Sequence, residues 1–260
     1  MSNGPEEARL ALFIDFENIA LGMKGRKSKN FDIHRILERL LEKGRIIAKR
    51  AYADWTRYAD FRAALHEAAI ELIEVPKRSQ TGKNSADIRL VVDALDLCYT
   101  KEHLDTFVIV SGDSDFSPLV SKLKENNKRV IGLGLRDATS ALLADNCDEF
   151  LFYEDLESPS VGRKAERAAA GGVALPGKKQ EAFDLLLDAI EALLRENKDI
   201  LWSSMIKDTI KRKKPAFSEN SYGYRAFSEL LEDAARHELI QITRDTKSGG
   251  TYVVTEVRFP

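Results

Sequence analysis

A doubly wound α/β fold with a mainly parallel sheet is predicted by two observations: strand-sized apolar runs alternate with helix-period segments, and acidic residues follow two of those runs directly. A third observation, three helical segments followed by two strand-like runs, predicts a small winged helix-turn-helix behind it. The chain has 260 residues, room for one large domain and one smaller one.

Leu10–Ile14 is a short apolar run cut off by Asp15, as a strand buried on both faces should be. Ile33, Ile36, Leu37, Leu40 and Leu41 recur at helical spacing until Gly44 stops them. Arg45–Ala53 is predicted as the next strand, Trp55–Ala69 as a helix and Ile70–Val75 as a third strand ended by Pro76. After the polar loop 77–84, Ile88, Val91, Val92 and Leu95 form an apolar helical stripe. Phe107–Val110 is predicted as a strand, Phe116–Asn126 as a helix and Arg129–Leu135 as a strand. A short helix, Ser140–Ala144, precedes a last strand at Phe150–Tyr153.

The character then changes. Residues 157–178 hold Ser158-Pro159-Ser160, three successive alanines, Gly171-Gly172 and Pro176-Gly177, which cannot build a core and read as a flexible linker. Behind it, Ala182–Leu194 has the apolar face of a helix. Ser203 or Ser204 can cap a second one, which Pro215 prevents from continuing. Tyr224–Arg236 reads as a third helix, and Leu239–Thr243 and Thr251–Val254 flank a turn. The domains expected are therefore 1–156 and 179–260, joined by 157–178.

Composition narrows the function. A net charge of −2 rules out a global polycation, so any nucleic-acid contact must come from local patches. Cys98 and Cys147 make no disulfide framework and sit in no metal-ligand spacing; buried free thiols in a reducing cytoplasm are expected. Apolar runs are strand-sized, too short to span a bilayer, and residues 1–7 lack the basic and apolar regions of a signal peptide. The expectation is a cytoplasmic protein with no membrane partner.

Four acids carry the chemistry. Asp15 and the pair Asp113 and Asp115 follow strand-like runs, and Asp87 opens the helix that feeds the strand before Asp113. In a doubly wound sheet, ligands bind at the carboxyl ends of strands where the winding reverses, so these acids can face one crevice. Packed carboxylates repel and raise one another's pKa; Mg²⁺ or Mn²⁺ relieves that and prefers carboxylate and water oxygens. Asp93 lies well around the helix from Asp87, and a structural or solvated role is as open to it as a ligand role. Asn18, Ser111 and Ser114 could orient water or a ligand, or could be turn residues.

Phe13-Ile14-Asp15-Phe16-Glu17-Asn18, the Ala86-Asp87-Ile88 helix running to Asp93, and Val110-Ser111-Gly112-Asp113-Ser114-Asp115-Phe116-Ser117-Pro118-Leu119 together resemble the NYN domain, a branch of the PIN-like ribonucleases. Asn146-Cys147-Asp148 resembles the family's closing segment, and the resemblance covers roughly residues 8–154. It implies a PIN-like, Rossmann-like fold, divalent metal at Asp15, Asp87, Asp113 and Asp115, and hydrolysis of RNA phosphodiesters.

Basic loops should rim that face: Lys24, Arg26, Lys27 and Lys29 after Asn18, and Lys77, Arg78 and Lys83 before Asp87. Tyr52, Trp55 and Tyr58 are read as core or rim packing. Farther on, Trp202 to Ile210, Lys211-Arg212-Lys213-Lys214-Pro215-Ala216-Phe217 and Tyr222-Gly223-Tyr224-Arg225-Ala226-Phe227 resemble the LOTUS (OST-HTH) domain over roughly residues 178–256. That resemblance implies RNA binding, through Arg212, Lys213, Lys214, Tyr222, Tyr224 and Arg225, and protein partners in some relatives. Dimerisation is left open. Against a metal-dependent ribonuclease stand a non-catalytic RNA-binding regulator and, far behind, a haloacid-dehalogenase-type phosphohydrolase. The latter wants an aspartate two residues after its nucleophile, where this chain has Glu17.

Overall fold

The computed structural model describes residues 7–23, 31–75, 85–157, 177–245 and 251–258. They group into two compact units, one holding the bulk of the residues up to 158 and the other the bulk of those from 159 onward. The basic positions Lys24, Arg26, Lys27, Lys29, Lys77, Arg78 and Lys83, most of the linker segment (158–176) and the turn 246–250 lie outside the described residues.

In the first unit, β1 (Ala8–Asp15) leads into α1 (Phe16–Gly22), α2 (Ile33–Lys43) and β2 (Gly44–Ala53). Next come α3 (Ala59–Glu67), β3 (Glu71–Glu74), α4 (Ser85–Thr100) and β4 (Thr106–Val110). The unit closes with α5 (Ser117–Glu125), β5 (Arg129–Gly134), α6 (Ala141–Asn146), β6 (Glu149–Phe152) and α7 (Tyr153–Glu157). The six strands form one sheet in the order β3-β2-β1-β4-β5-β6, every pairing parallel. That order reverses between β1 and β4, the switch point at which such sheets open a crevice.

Alternation along β1 sorts its side chains between two cores. Leu10, Leu12 and Ile14 go to one face, with Ile33, Ile36 and Leu40 of α2 and Leu65 of α3. Ala11 and Phe13 go to the other, with Leu90 and Ala94 of α4 and Leu119 and Val120 of α5. All five are fully buried, as a strand covered on both faces requires. Tyr52, Trp55 and Tyr58 are buried too, so these aromatics are core.

Three elements differ from expectation. The helix α1 follows β1 without a break; only seven residues long, it has no apolar period to announce it. The helix predicted from Trp55 begins at Ala59, because the Asp54 carboxylate accepts from the Thr56 N–H at 3.2 Å and holds residues 54–57 in a turn. In α4 the buried stripe is Leu90, Ala94, Leu97 and Cys98. The expected Ile88 and Val92 face outward instead, 63% and 55% exposed.

The second unit runs α8 (Gly177–Arg195), β7 (Leu201–Trp202), α9 (Ser203–Lys213), α10 (Phe227–Arg236), β8 (Ile240–Asp245) and β9 (Thr251–Val257). Three helices thus accompany a three-stranded antiparallel sheet, ordered β7-β9-β8. The two-residue strand β7 is too short to be read from sequence. The helix predicted from Tyr224 starts three residues later, since Gly223 takes a left-handed φ of 86° after a 3₁₀ turn at Glu219–Tyr222. Phe183, Leu186, Ile190, Ile206, Leu230 and Leu231 fill the core.

Candidate functional site

Asp15 is the last residue of β1, and the alternation that sends Ala11 and Phe13 towards α4 sends its side chain the same way. It is 4% exposed. One carboxylate oxygen caps α1 by accepting the Asn18 N–H at 3.2 Å. The other accepts the Ser111 hydroxyl at 3.0 Å. Burial, then the negative charge of Asp87 in the first turn of α4, raise its pKa from 3.8 to about 7, against the two hydrogen bonds that favour the ion. Glu17 adds a smaller push in the same direction. Among the described residues Asp15 pairs with no cation.

Across the switch point, the backbone after β4 is tied to α1. Asn18 Oδ1 accepts the Gly112 N–H at 3.0 Å, and the Gly112 carbonyl accepts the Ser140 N–H at 2.9 Å. Ser111 Oγ, while donating to Asp15, accepts the Asp113 N–H at 3.2 Å. Asp113 in turn accepts the Asp115 N–H at 3.0 Å and so caps the 3₁₀ turn Ser114–Phe116. A continuous chain of hydrogen bonds therefore runs Asp15–Ser111–Asp113–Asp115. Only glycine fits at 112: a Cβ there would stand 2.1 Å from the Ala138 carbonyl oxygen.

The structure thus brings the four acids to one end of the sheet, yet by different links. Asp87 acts on Asp15 electrostatically, and Asp87 and Asp115 both line a surface groove of about 690 Å³. Among the described residues, no three His, Cys, Asp or Glu side chains lie close enough to hold an ion by themselves. The donor set still fits a hard cation of the magnesium type, which takes one or two carboxylates and fills its shell with water and substrate phosphate. The buried Asp15 and its neighbour Asp87 can supply those carboxylates. Ser114 lines the same groove.

Asp93 is committed elsewhere. Its oxygens accept from Tyr52 Oη at 2.9 Å and Arg89 Nε at 3.0 Å, with Arg50 at 3.7 Å. Of the roles left open for Asp93, these bonds support the structural one, an ion pair with Arg89 and Arg50. Tyr224 is corrected as an RNA contact. It is buried, and its hydroxyl donates to Asp233 at 2.8 Å. Tyr222 stacks on Phe217 and shares Glu181 with Lys214; Arg212 ends α9 with Lys213, and the exposed Arg225 follows Tyr224. One residue that sequence reasoning passed over is Ser117, whose buried hydroxyl has no hydrogen-bond partner among the described residues. Nothing in the sequence distinguishes it from an ordinary helix-start serine.

A family model described as the NYN domain matches residues 9–156. An uncharacterized protein of Methanocaldococcus jannaschii is 35% identical over 142 residues, covering 55% of this chain and 54% of that protein. The chain thus spans about half the length of this relative. Among solved structures, a protein of unknown function from Vibrio parahaemolyticus is similar in fold, with a TM-score of 0.53 at 23% identity. That similarity covers 60% of this chain and 98% of the other.

Proposed function

This chain belongs to the NYN domain family, within the PIN-like nuclease superfamily, and on that premise we propose that it is a divalent-metal-dependent ribonuclease. One observation carries the reading. Asp15 is buried beside Asp87 and held near neutrality in its pKa, and among the described residues it pairs with no cation. Folding a carboxylate into that position costs stability unless a metal occupies the site.

The residues have distinct parts. Asp15 and Asp87 would hold Mg²⁺ or Mn²⁺, with Asp113 and Asp115 completing the acidic face and water and phosphate filling the rest of the shell. Such an ion supplies Lewis acidity to the scissile phosphate and lowers the pKa of an attacking water. Ser111 fixes the Asp15 carboxylate and, through the Asp113 N–H, the orientation of the following turn. Asn18 holds the Gly112 backbone against α1, so that the two acidic strand ends keep their spacing. Ser114 stands where a water or a ribose hydroxyl would meet the groove. Lys24, Arg26, Lys27, Lys77, Arg78 and Lys83 belong to the segments that enter α2 and α4, and would bind the flanking phosphates.

The second unit supports RNA capture as a winged helix of LOTUS type: three helices and a three-stranded antiparallel sheet, with Arg212, Lys213, Lys214, Tyr222 and Arg225 supplying charge and aromatic surface. The deciding experiment is cleavage of labelled single-stranded RNA with Mg²⁺ or Mn²⁺ by wild type and Asp113→Asn, with an EDTA control. Activity lost in both controls supports the nuclease. Intact RNA in every lane, with binding retained, would leave a non-catalytic RNA-binding regulator.

A further inference from the structure

Of the apolar stripe expected on α4, Val91 and Leu95 pack against the core while Ile88 and Val92 are turned outward. Ile88 and Val92 are 63% and 55% exposed, and Leu142 of α6, facing the same groove, is 59% exposed. Ile88, Val92 and Leu142 share one groove with the candidate site's Asp87 and Asp115, and exposed apolar side chains gathered in this way mark a binding surface where scattered ones do not. Asp87, Asp115, Val91, Pro118 and Ser121 line the same groove. Among the described residues, no lysine, arginine or histidine lines it. Away from the acidic end at Asp87 and Asp115, a phosphate is therefore a poor occupant, and a neutral, flat, partly apolar group a good one.

The polar part of the lining is rich in acceptors: the Asp115 carboxylate and the hydroxyls of Ser114, Ser117 and Ser121. Ser117 is the second, independent observation. It is 7% exposed, lines the groove, and its Oγ is buried without a hydrogen-bond partner among the described residues. A buried hydroxyl left unpaired costs roughly 1–3 kcal/mol, so its retention at a groove wall points to a ligand that pairs with it.

We propose that this groove is a nucleobase subsite. One unstacked base of a single-stranded RNA packs against Ile88, Val92 and Leu142, and its ring N–H or exocyclic amino group hydrogen-bonds to Ser117 and Asp115. The inference rests on the ribonuclease reading and deepens it, for it places the base next to the phosphate held at the acidic centre. Apolar and hydroxyl contacts at the base, with phosphate contacts elsewhere, give recognition that tolerates several sequences.

The test uses the full chain and short single-stranded RNAs carrying 4-thiouridine at successive positions, photolysed on mixing so that turnover does not matter. Cross-links mapping to the peptide holding Ile88 and Val92 or to Leu142 are expected. Val92→Asp and Ser117→Ala should weaken binding by roughly threefold to tenfold, the worth of one apolar contact or one hydrogen bond. Because Ser117→Ala removes an unpaired buried hydroxyl, the free variant should melt no lower than wild type. RNA that binds and is cut, but cross-links elsewhere and is indifferent to both substitutions, overturns the subsite while leaving the nuclease intact. A Val92→Asp variant that changes only the sedimentation of the protein assigns the groove to a second copy of the chain and overturns it as well. Failure to bind RNA at all overturns both readings together.

Discussion

Burial of Asp15 next to Asp87 keeps its carboxyl protonated in the metal-free fold until about pH 7, where an unfolded chain would lose the proton near 3.8. Between those values the folded state binds more protons than the unfolded state, so metal-free stability falls as pH rises from about 4 to about 7. The full shift corresponds to roughly 4 kcal/mol. Denaturant melts in EDTA should show that decline for wild type and a much flatter profile for Asp15→Asn. Divalent ion must displace the same proton, so its affinity should climb towards pH 7 and then level, which calorimetry in two buffers would register as proton release. At Ser111 a smaller effect is expected. Ser111→Ala leaves an oxygen of Asp15 and the Asp113 N–H without their shared partner, costing about 1–3 kcal/mol by thermal melting. It should also lower the cleavage rate more than RNA affinity. Of these residues, Asp15, Asp113 and Asp115 stand out in the sequence because acids behind strand-like runs need a reason to be there, and Asp87 because it opens the helix that feeds the next strand. Asp93 could only be left open between ligand and structural roles, since spacing on a helix shows which face a residue takes but not that Tyr52, Arg50 and Arg89 wait there.

At the scale of elements, the loop after β4 is held by close backbone approach. Gly112→Ala would drive a methyl into the Ala138 carbonyl 2.1 Å away, so the turn must shift and both of its bonds, to Asn18 and Ser140, must loosen. A loss of roughly 1–3 kcal/mol is expected, together with loss of cleavage, as chemical denaturation and a substrate assay would show. In the second unit α10 depends on Asp233, a buried carboxylate that takes Lys179 at 2.9 Å, Tyr224 at 2.8 Å and Arg236 at 2.9 Å. Although burial opposes ionisation, those three bonds hold its pKa below the usual carboxylate range. Its contribution is therefore complete at neutral pH and fades on acidification. Asp233→Ala should destabilise this unit by roughly 2–4 kcal/mol at pH 7, with a smaller deficit at pH 3, by circular dichroism melts. The strands β1, β4 and β5 were readable because runs buried on both faces have few polar positions to confuse them. The short helix α1 and the two-residue β7 were not, since neither is long enough to show a period.

For the whole molecule, a net charge of −2 means that the proposed RNA association would have to work through local cations against a slightly unfavourable mean field. Replacing Lys24, Arg26 and Lys27 together by alanine should weaken RNA binding and reduce the slope of log affinity against log salt by about 2, near 0.7 for each phosphate of a single strand that is no longer neutralised. Anisotropy titrations over a range of salt would read both; an unchanged slope would remove that loop from the interface. The order of apolar runs, the helix periods between them and the positions of the four acids all follow from local chemistry, and the sequence alone determined them: a parallel α/β unit with carboxylates at strand ends, then a smaller helical unit with a hairpin. Which face of α4 is buried, which neighbour each acid answers to, and that the buried Ser117 hydroxyl has no partner among the described residues were decided only by tertiary structure. Those outcomes depend on which strands become neighbours at the β1–β4 switch point, and residues about 100 positions apart in the chain meet there through packing that no local pattern encodes.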